Sequence, residues 1–124
     1  MTLNRDQFLS KTGRQYKTLN IPEFGEVRIQ SMKTSERAKF ELSLEDKAGK
    51  RIRSMVRTVR ERLLIASVVD EDNKPMFTEN DIEQISELPS GPVDIIVESI
   101  KKLSGFSDAD LEELEGNSGA TTGE

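Results

Sequence analysis

The stretch YKTLNIPEFGEVRIQSM, from Tyr16 to Met32, predicts a β-hairpin near the start of the chain. Apolar and polar side chains alternate on both sides of PEFG, as expected for two strands that each bury one face. Within PEFG, Pro22 fixes one backbone dihedral and Gly25 accepts a positive one, a combination that is typical of a tight turn.

After the hairpin, the apolar residues recur every three or four positions, which predicts helices. Five are expected, at about 35–47, 50–67, 79–88, 92–104 and 107–115. Thr34 or Ser35 caps the first, Gly49 ends it, and Pro89 separates the third from the fourth. We therefore predict a mainly α (α+β) fold, with an N-terminal β-hairpin followed by four to five helices in a small single domain.

The ends of the chain contain few apolar residues. We expect residues 1–14 to be a flexible N-terminal arm or a short helix capped by Asn4, and residues 116–124 to be a disordered tail. Residues 15–115 remain as one folded domain, since 124 residues suit a single core.

The sequence contains no Cys and no His. The absence of these residues excludes disulfide scaffolds, zinc sites made of Cys and His, and Cys-His or Ser-His catalysis. No apolar run has the length of a signal peptide or a membrane span. We expect a non-catalytic cytoplasmic protein with no cofactor, no metal and no membrane partner.

Charge divides the chain into two halves. Residues 1–62 carry 15 Lys and Arg against 8 Asp and Glu, whereas residues 63–124 carry 3 against 15. Halves of opposite charge can attract each other within one chain or between copies, which would give a homo-oligomer, and a basic region can also bind nucleic acid.

The predicted helix 50–67 carries Arg53, Arg57 and Arg60 on the side opposite its apolar stripe. Clustered cations on one helix face can bind phosphates, so a small nucleic-acid-binding regulator using the basic helix 50–62 is the alternative function. No aromatic residue is interleaved for base stacking, and no helix-turn-helix or zinc pattern surrounds the segment. A protein partner fits the divided charge better.

The stretch VVDEDNKPMFTENDI, from Val68 to Ile82, raises the question of a calcium loop or an acidic active site. The EF-hand register fails, because Lys74 stands at a ligand position and Pro75 where glycine is needed. Three consecutive acidic residues on a solvated turn also lack the fixed separation that carboxylate catalysis requires.

A turn followed by a helix start explains this stretch better. Thr78 is the expected N-cap, Asp81 completes a capping box, and Phe77 packs onto Ile82 as a hydrophobic staple. The same four positions recur at the start of the last predicted helix, occupied by Phe106, Ser107, Asp110 and Leu111.

From about residue 21 to residue 117 the chain resembles the tail assembly chaperones of long-tailed phages with flexible tails. The resemblance rests on IPEFGEVRIQSMKTSERAKFE, SVVDEDNKPMFTENDIEQISELP and IVESIKKLSGFSDADLEELEGN. In that family, Gly-Lys is common where this chain has Asn73 and Lys74, a small departure because Asn also tolerates the left-handed conformation.

The resemblance implies a non-catalytic chaperone that binds and solubilises the tape-measure protein, helps recruit the tail-tube protein, acts in the host cytoplasm and is not in the mature virion. It also implies that a longer form can arise by ribosomal frameshifting, and residues 115–117 can be encoded by GAG GGA AAC, which contains the slippery string G GGA AAC. The candidate partner-binding residues are Arg53, Arg57, Arg60, Phe106, Leu111 and Leu114.

Overall fold

The structure is a computed structural model that describes residues 2–11 and 13–107. The predicted hairpin is present: β1 (Tyr16–Ile21) and β2 (Gly25–Gln30) pair antiparallel, with Leu19 opposite Val27. Six helices and a three-stranded antiparallel sheet make up the described part, so the α+β fold prediction is confirmed.

The hairpin turn uses a residue that sequence reasoning did not identify. The amide of Phe24 donates to the carbonyl of Ile21 at 3.0 Å, and Glu23 has a φ of 65°. With Pro22 before it, this is the pattern of a type II turn, in which the third position prefers glycine. Gly25 also has a positive φ, of 126°, as predicted.

A third strand completes the sheet. β3 (Val68–Val69) pairs antiparallel with β2, so the strand order is β1-β2-β3. The predicted helix ends at residue 67 and is followed directly by a turn, so the strand was not expected from the sequence, because two residues show no periodicity.

The long helix predicted at 50–67 is two helices, α3 (Arg53–Arg57) and α4 (Val59–Ser67). The break is at Thr58, whose hydroxyl donates to the carbonyls of Ser54 and Met55 at 3.0 and 3.2 Å. A hydroxyl that bonds to the preceding turn bends a helix, and the φ of −106° at Thr58 marks the interruption.

The helix predicted at 35–47 is shorter and begins earlier. α2 spans Thr34–Leu42, and its N-cap is Lys33 rather than Thr34 or Ser35. The capping contact comes from Glu36, whose carboxylate accepts from the Lys33 amide at 2.9 Å. Beyond α2, a bridge between Glu45 and Arg51 holds this segment out of helical conformation.

The helices of the acidic half follow the predicted order. A 3₁₀ turn at Glu79–Asp81 leads into α5 (Ile82–Ser86), and α6 spans Ser90–Ser104. The Thr78 capping box is formed, since the Asp81 carboxylate accepts from the Thr78 amide at 2.8 Å. Residues 108–124, which include most of the last predicted helix and the predicted tail, lie outside the described residues.

One apolar cluster joins the sheet to the helices. Its fully buried centre combines residues from β2, the segment after α2, α4 and α6: Ile29, Leu44, Leu63, Leu64, Val97 and Ile100. The sheet contacts α6 through β1 and β2, whereas the hairpin turn at residues 22–24 is exposed to solvent.

The predicted flexible arm contains a short helix, α1 (Arg5–Leu9), capped by Asn4, which was the alternative from the sequence. None of its residues is buried. Arg14, assigned to the arm from the sequence, belongs to the folded part because its guanidinium donates to both carboxylate oxygens of Glu36 at 2.7 Å and to the carbonyl of Ser31 at 2.9 Å.

Candidate partner-binding surface

The three arginines predicted on one basic helix face occupy two different environments. Arg60 donates to the Asp94 carboxylate on α6 at 2.7 Å. Arg53 and Arg57 lie on α3, are exposed, and make no ion pair or side-chain hydrogen bond with any described residue. The break at Thr58 separates the two environments, so the three side chains do not form one continuous stripe.

Two ion pairs between described residues join the oppositely charged halves of the chain. Arg60 pairs with Asp94, and Arg62 donates to the Glu79 carboxylate at 3.1 Å. Both pairs are partly exposed, so each contributes only about 0 to 1 kcal/mol. Some of the opposite charges of the two halves therefore form ion pairs that connect α4 with α6 and with the 3₁₀ turn.

Of the three candidates near the end of the chain, Phe106 alone lies among the described residues. Phe106 is 6% exposed and packs in the core, with the guanidinium of Arg37 4.0 Å from its ring centre. Its ring is therefore not at the surface where a partner would contact it. Leu111 and Leu114 lie outside the described residues.

The structure reveals a different surface, an apolar groove beside the hairpin turn. Its volume is about 190 Å³. Phe24 and Met76 stand at its mouth with 40% and 49% of their surface exposed. The groove is lined by Phe24, Glu26, Val27, Leu64, Val68, Met76, Phe77, Leu88 and Ile96.

The local structure explains why these side chains stay exposed. Phe24 lies on the hairpin turn, where its amide donates to the Ile21 carbonyl at 3.0 Å, and 40% of its surface is exposed. Met76 follows the loop after β3, and its amide donates to the Val68 carbonyl at 3.2 Å. Two hydrogen-bonded turns therefore place an aromatic ring and a flexible thioether in the lining of one groove, and such a thioether is common on adaptable binding surfaces.

A larger and more polar cleft, of about 420 Å³, adjoins the groove. Glu26 and Met76 line both. Glu26 and Glu71 are exposed carboxylates that pair with no described residue, whereas Arg28 is engaged by Asn73 at 2.6 Å. The surface thus combines an apolar groove with an acidic rim.

This groove was not predicted from the sequence, because PEFG and DEDNKP were interpreted as turns and Phe77 only as a helix staple. Large apolar residues inside two turn segments were the available signal, since turns are usually polar. The hairpin turn and the turn after β3 are brought together by the pairing of β2 with β3. This pairing was not predicted from the sequence.

The acidic stretch after β3 does not form a metal site in the structure. One carboxylate oxygen of Asp70 accepts from the amides of Asp72 and Lys74 at 2.8 and 3.0 Å. Within residues 2–11 and 13–107, no three acidic side chains come close enough together to hold an ion. In the same part of the chain, no helix combines the length and apolar character needed to cross a membrane.

Comparison with known proteins does not assign a function to this surface. No protein-family model, no curated protein and no solved structure matches the chain.

Proposed function

We propose that this chain is a non-catalytic tail assembly chaperone, and that the groove beside the hairpin turn holds an amphipathic helix of the tape-measure protein. The observation that carries the proposal is the exposure of Phe24 and Met76 at the mouth of an apolar groove. The sequence resemblance to tail assembly chaperones supplies the partner.

The groove has the chemistry that a helix with one apolar stripe requires. Helix-in-groove recognition inserts side chains spaced three and four residues apart into a hydrophobic channel. Phe77 and Leu88 are partly buried in the walls of the groove. Apolar side chains bound in the groove would therefore contact the carbon atoms of these residues. Binding would keep water and other tape-measure chains away from that stripe.

The acidic rim specifies the flanks of the bound helix. Glu26 and Glu71 have no partner among the described residues, so Lys or Arg beside the apolar stripe would find carboxylates there. Rim charges mainly affect association rate and specificity. In this proposal the chaperone acts in the host cytoplasm, helps recruit the tail-tube protein, and is absent from the mature virion.

Co-expression with the tape-measure protein of the same gene cluster tests the proposal. We expect the chain to raise the soluble fraction of that protein after centrifugation, and Phe24→Ser combined with Met76→Ser to abolish the effect. Leu42→Ser is the matched control, since Leu42 is 66% exposed and does not line the groove. The proposal fails if the tape-measure protein is equally soluble alone, or if the groove variant protects it as well as the control.

A charge variant refines the test. Glu26→Lys with Glu71→Lys should weaken capture of the tape-measure protein at low salt and reduce the dependence of capture on salt, because rim charges are screened within about 8 to 10 Å at physiological ionic strength. An unchanged salt dependence would show that the acidic rim does not contact the partner.

A further inference from the structure

Three apolar side chains of the N-terminal arm lie outside the core. Leu3, Phe8 and Leu9 are 45%, 66% and 51% exposed, and no residue of α1 is buried. The helix is nevertheless well capped: the Asn4 side chain accepts from the Gln7 amide at 2.8 Å, and the Asn4 amide donates to the Gln7 side chain at 3.1 Å. Adjacent apolar side chains exposed on a capped helix indicate an interaction surface.

We propose that α1 of one chain docks in the apolar groove beside the hairpin turn of a second copy, which docks its own α1 in return. Each copy carries one arm and one groove, so the reciprocal exchange closes a two-fold dimer. The mouth of the groove holds Phe24 and Met76, which are 40% and 49% exposed, and α1 brings Phe8 and Leu9. Docking therefore covers exposed apolar side chains on both partners.

The charges of the arm complement those of the groove. Within the described arm, Arg5 and Lys11 outnumber the single acidic residue, Asp6, and the contact of Arg5 with Asp6, at 3.4 Å, is exposed and weak. Arg5 lies three and four residues before the two apolar side chains of α1, so it flanks them on the same side of the helix. The rim of the groove carries Glu26 and Glu71, which pair with no described residue. A basic helix thus meets an acidic rim, which favours this contact over one between two arms or two grooves.

The position of the arm favours a second copy over the arm's own groove. The arm leaves the domain at the open end of the hairpin, where the Ser31 amide donates to the Gln15 carbonyl at 2.8 Å. The groove lies at the other end of β1, and the six residue steps from Gln15 to Ile21 measure about 20 Å. The Lys11 amide still donates to the Phe8 carbonyl of α1, and the four steps from Lys11 to Gln15 span at most about 13 to 14 Å. The arm could approach its own groove only with this link fully extended along β1, whereas a second copy can present its groove without that restriction.

The exchange gives the groove an occupant before any other partner arrives. Both contacts are small, so the dimer is weak and depends on concentration. A tape-measure helix that enters the groove displaces the arm, so capture of that protein separates the dimer. This consequence rests on the proposed function, whereas the dimer itself does not require the tape-measure protein.

Photo-cross-linking of the full chain, without tape-measure protein, tests the inference. Phe8 is replaced by p-benzoylphenylalanine, an aromatic residue that bonds to neighbouring C–H groups on irradiation. We expect a covalent dimer in which position 8 is joined to Phe24 or Met76. In an equal mixture of light and heavy-isotope chains, unlike isotopes should be joined as often as like ones.

Two variants compared by sedimentation velocity locate the two sides of the contact. The arm variant is Phe8→Ser with Leu9→Ser, and the groove variant is Phe24→Ser with Met76→Ser. Each should raise the dissociation constant of the dimer by about tenfold or more, because burial of apolar side chains is lost. Leu42→Ser, at a side chain that is 66% exposed and belongs to neither surface, should leave it unchanged. All the replaced side chains are exposed, so the fold should be retained, which circular dichroism checks.

A mixture of the two variants separates arm-in-groove docking from other contacts. The arm variant keeps an intact groove and the groove variant keeps an intact arm, so together they form one contact that neither forms alone. The groove variant with the photo-reactive residue at position 8 should give no dimer product by itself. It should cross-link to Met76 of the arm variant once that chain is added.

Three results would overturn the inference: products that join like isotopes alone, which place the arm in its own groove; a dimer that both variants leave intact; and the absence of any dimer product. If no dimer forms but the chain still solubilises the tape-measure protein, this inference fails and the proposed function stands. If the dimer forms but that protein is not solubilised, the proposed function fails and the dimer stands.

Discussion

Asp46 and Asp70 occupy the same position in two loops with the same hydrogen bonds. Each carboxylate accepts from the amides two and four residues ahead, at 2.9 and 3.0 Å for Asp46 and at 2.8 and 3.0 Å for Asp70. The backbone amide of each Asp also donates to the carbonyl of the lysine that closes its loop: Asp46 to Lys50 at 2.7 Å and Asp70 to Lys74 at 2.8 Å. The sequences DKAGK and DEDNK therefore build one loop twice.

We expect Asp70→Ala to destabilise the fold by about 1 kcal/mol, because two backbone amides lose their acceptor. Asp70→Asn keeps an oxygen at the same position and should cost much less. Urea unfolding at neutral pH measures both. Asp46→Ala and Asp46→Asn form the matching pair, and a loss that is equal for Ala and Asn would show that the negative charge, not the hydrogen bonds, matters.

The fourth position of each loop has a positive φ, 84° at Gly49 and 63° at Asn73. The sequence correctly identified Asn73 as a residue that tolerates this conformation. The first loop was not predicted, because Asp46 and Lys47 fall within the helix predicted at 35–47. Both loops share a five-residue sequence pattern: Asp, two variable residues, Gly or Asn, and Lys. The pattern can be assigned to a closed loop only from the structure, in which a β-bridge flanks each copy.

The hairpin and α6 were predictable because each carries its own pattern: alternation around a Pro and Gly turn, and an apolar face at helical spacing. The break at Thr58 was not, since the apolar stripe continues across it and the hydroxyl contacts that interrupt the helix depend on rotamer choice. The groove depends on two turns brought together by β2 and β3. A periodicity within one segment of the sequence cannot show that two distant turns are in contact.

Glu23 is the strained position of the hairpin turn, with a φ of 65° that glycine adopts without penalty. We expect Glu23→Gly to stabilise the protein by about 0.5 to 1 kcal/mol, since relief of left-handed strain, about 1 to 2 kcal/mol, exceeds the entropy that glycine adds to the unfolded chain. Thermal unfolding measures the effect. Glu26→Gly is the control, because it removes a carboxylate nearby at a residue of β2 with no such strain, and it should destabilise.

Ser67 lies at the end of α4 with none of its surface exposed, and its hydroxyl has no hydrogen-bond partner among the described residues. A buried polar group without a partner costs free energy. We expect Ser67→Ala to leave stability unchanged or raise it by up to about 1 kcal/mol in urea unfolding. Val97→Ala, also fully buried but apolar, should lose stability. A loss of more than 1 kcal/mol in Ser67→Ala would mean that the hydroxyl is bonded in solution.

The hydrogen bonds from the Arg14 guanidinium lower the pKa of Glu36 below its ordinary value of 4.5, and the Lys33 amide acts in the same direction. The stabilisation is therefore complete above pH 4.5 and is lost as the pH falls through the lowered pKa. Because Glu36 is 41% exposed, solvent screening limits the effect to about 1 kcal/mol. We expect Glu36→Gln to be less stable than the parent at pH 7, with a gap that narrows as the pH falls below 4.5 in urea unfolding, whereas Glu41→Gln should show a smaller difference. A pH-independent gap for Glu36→Gln would contradict this.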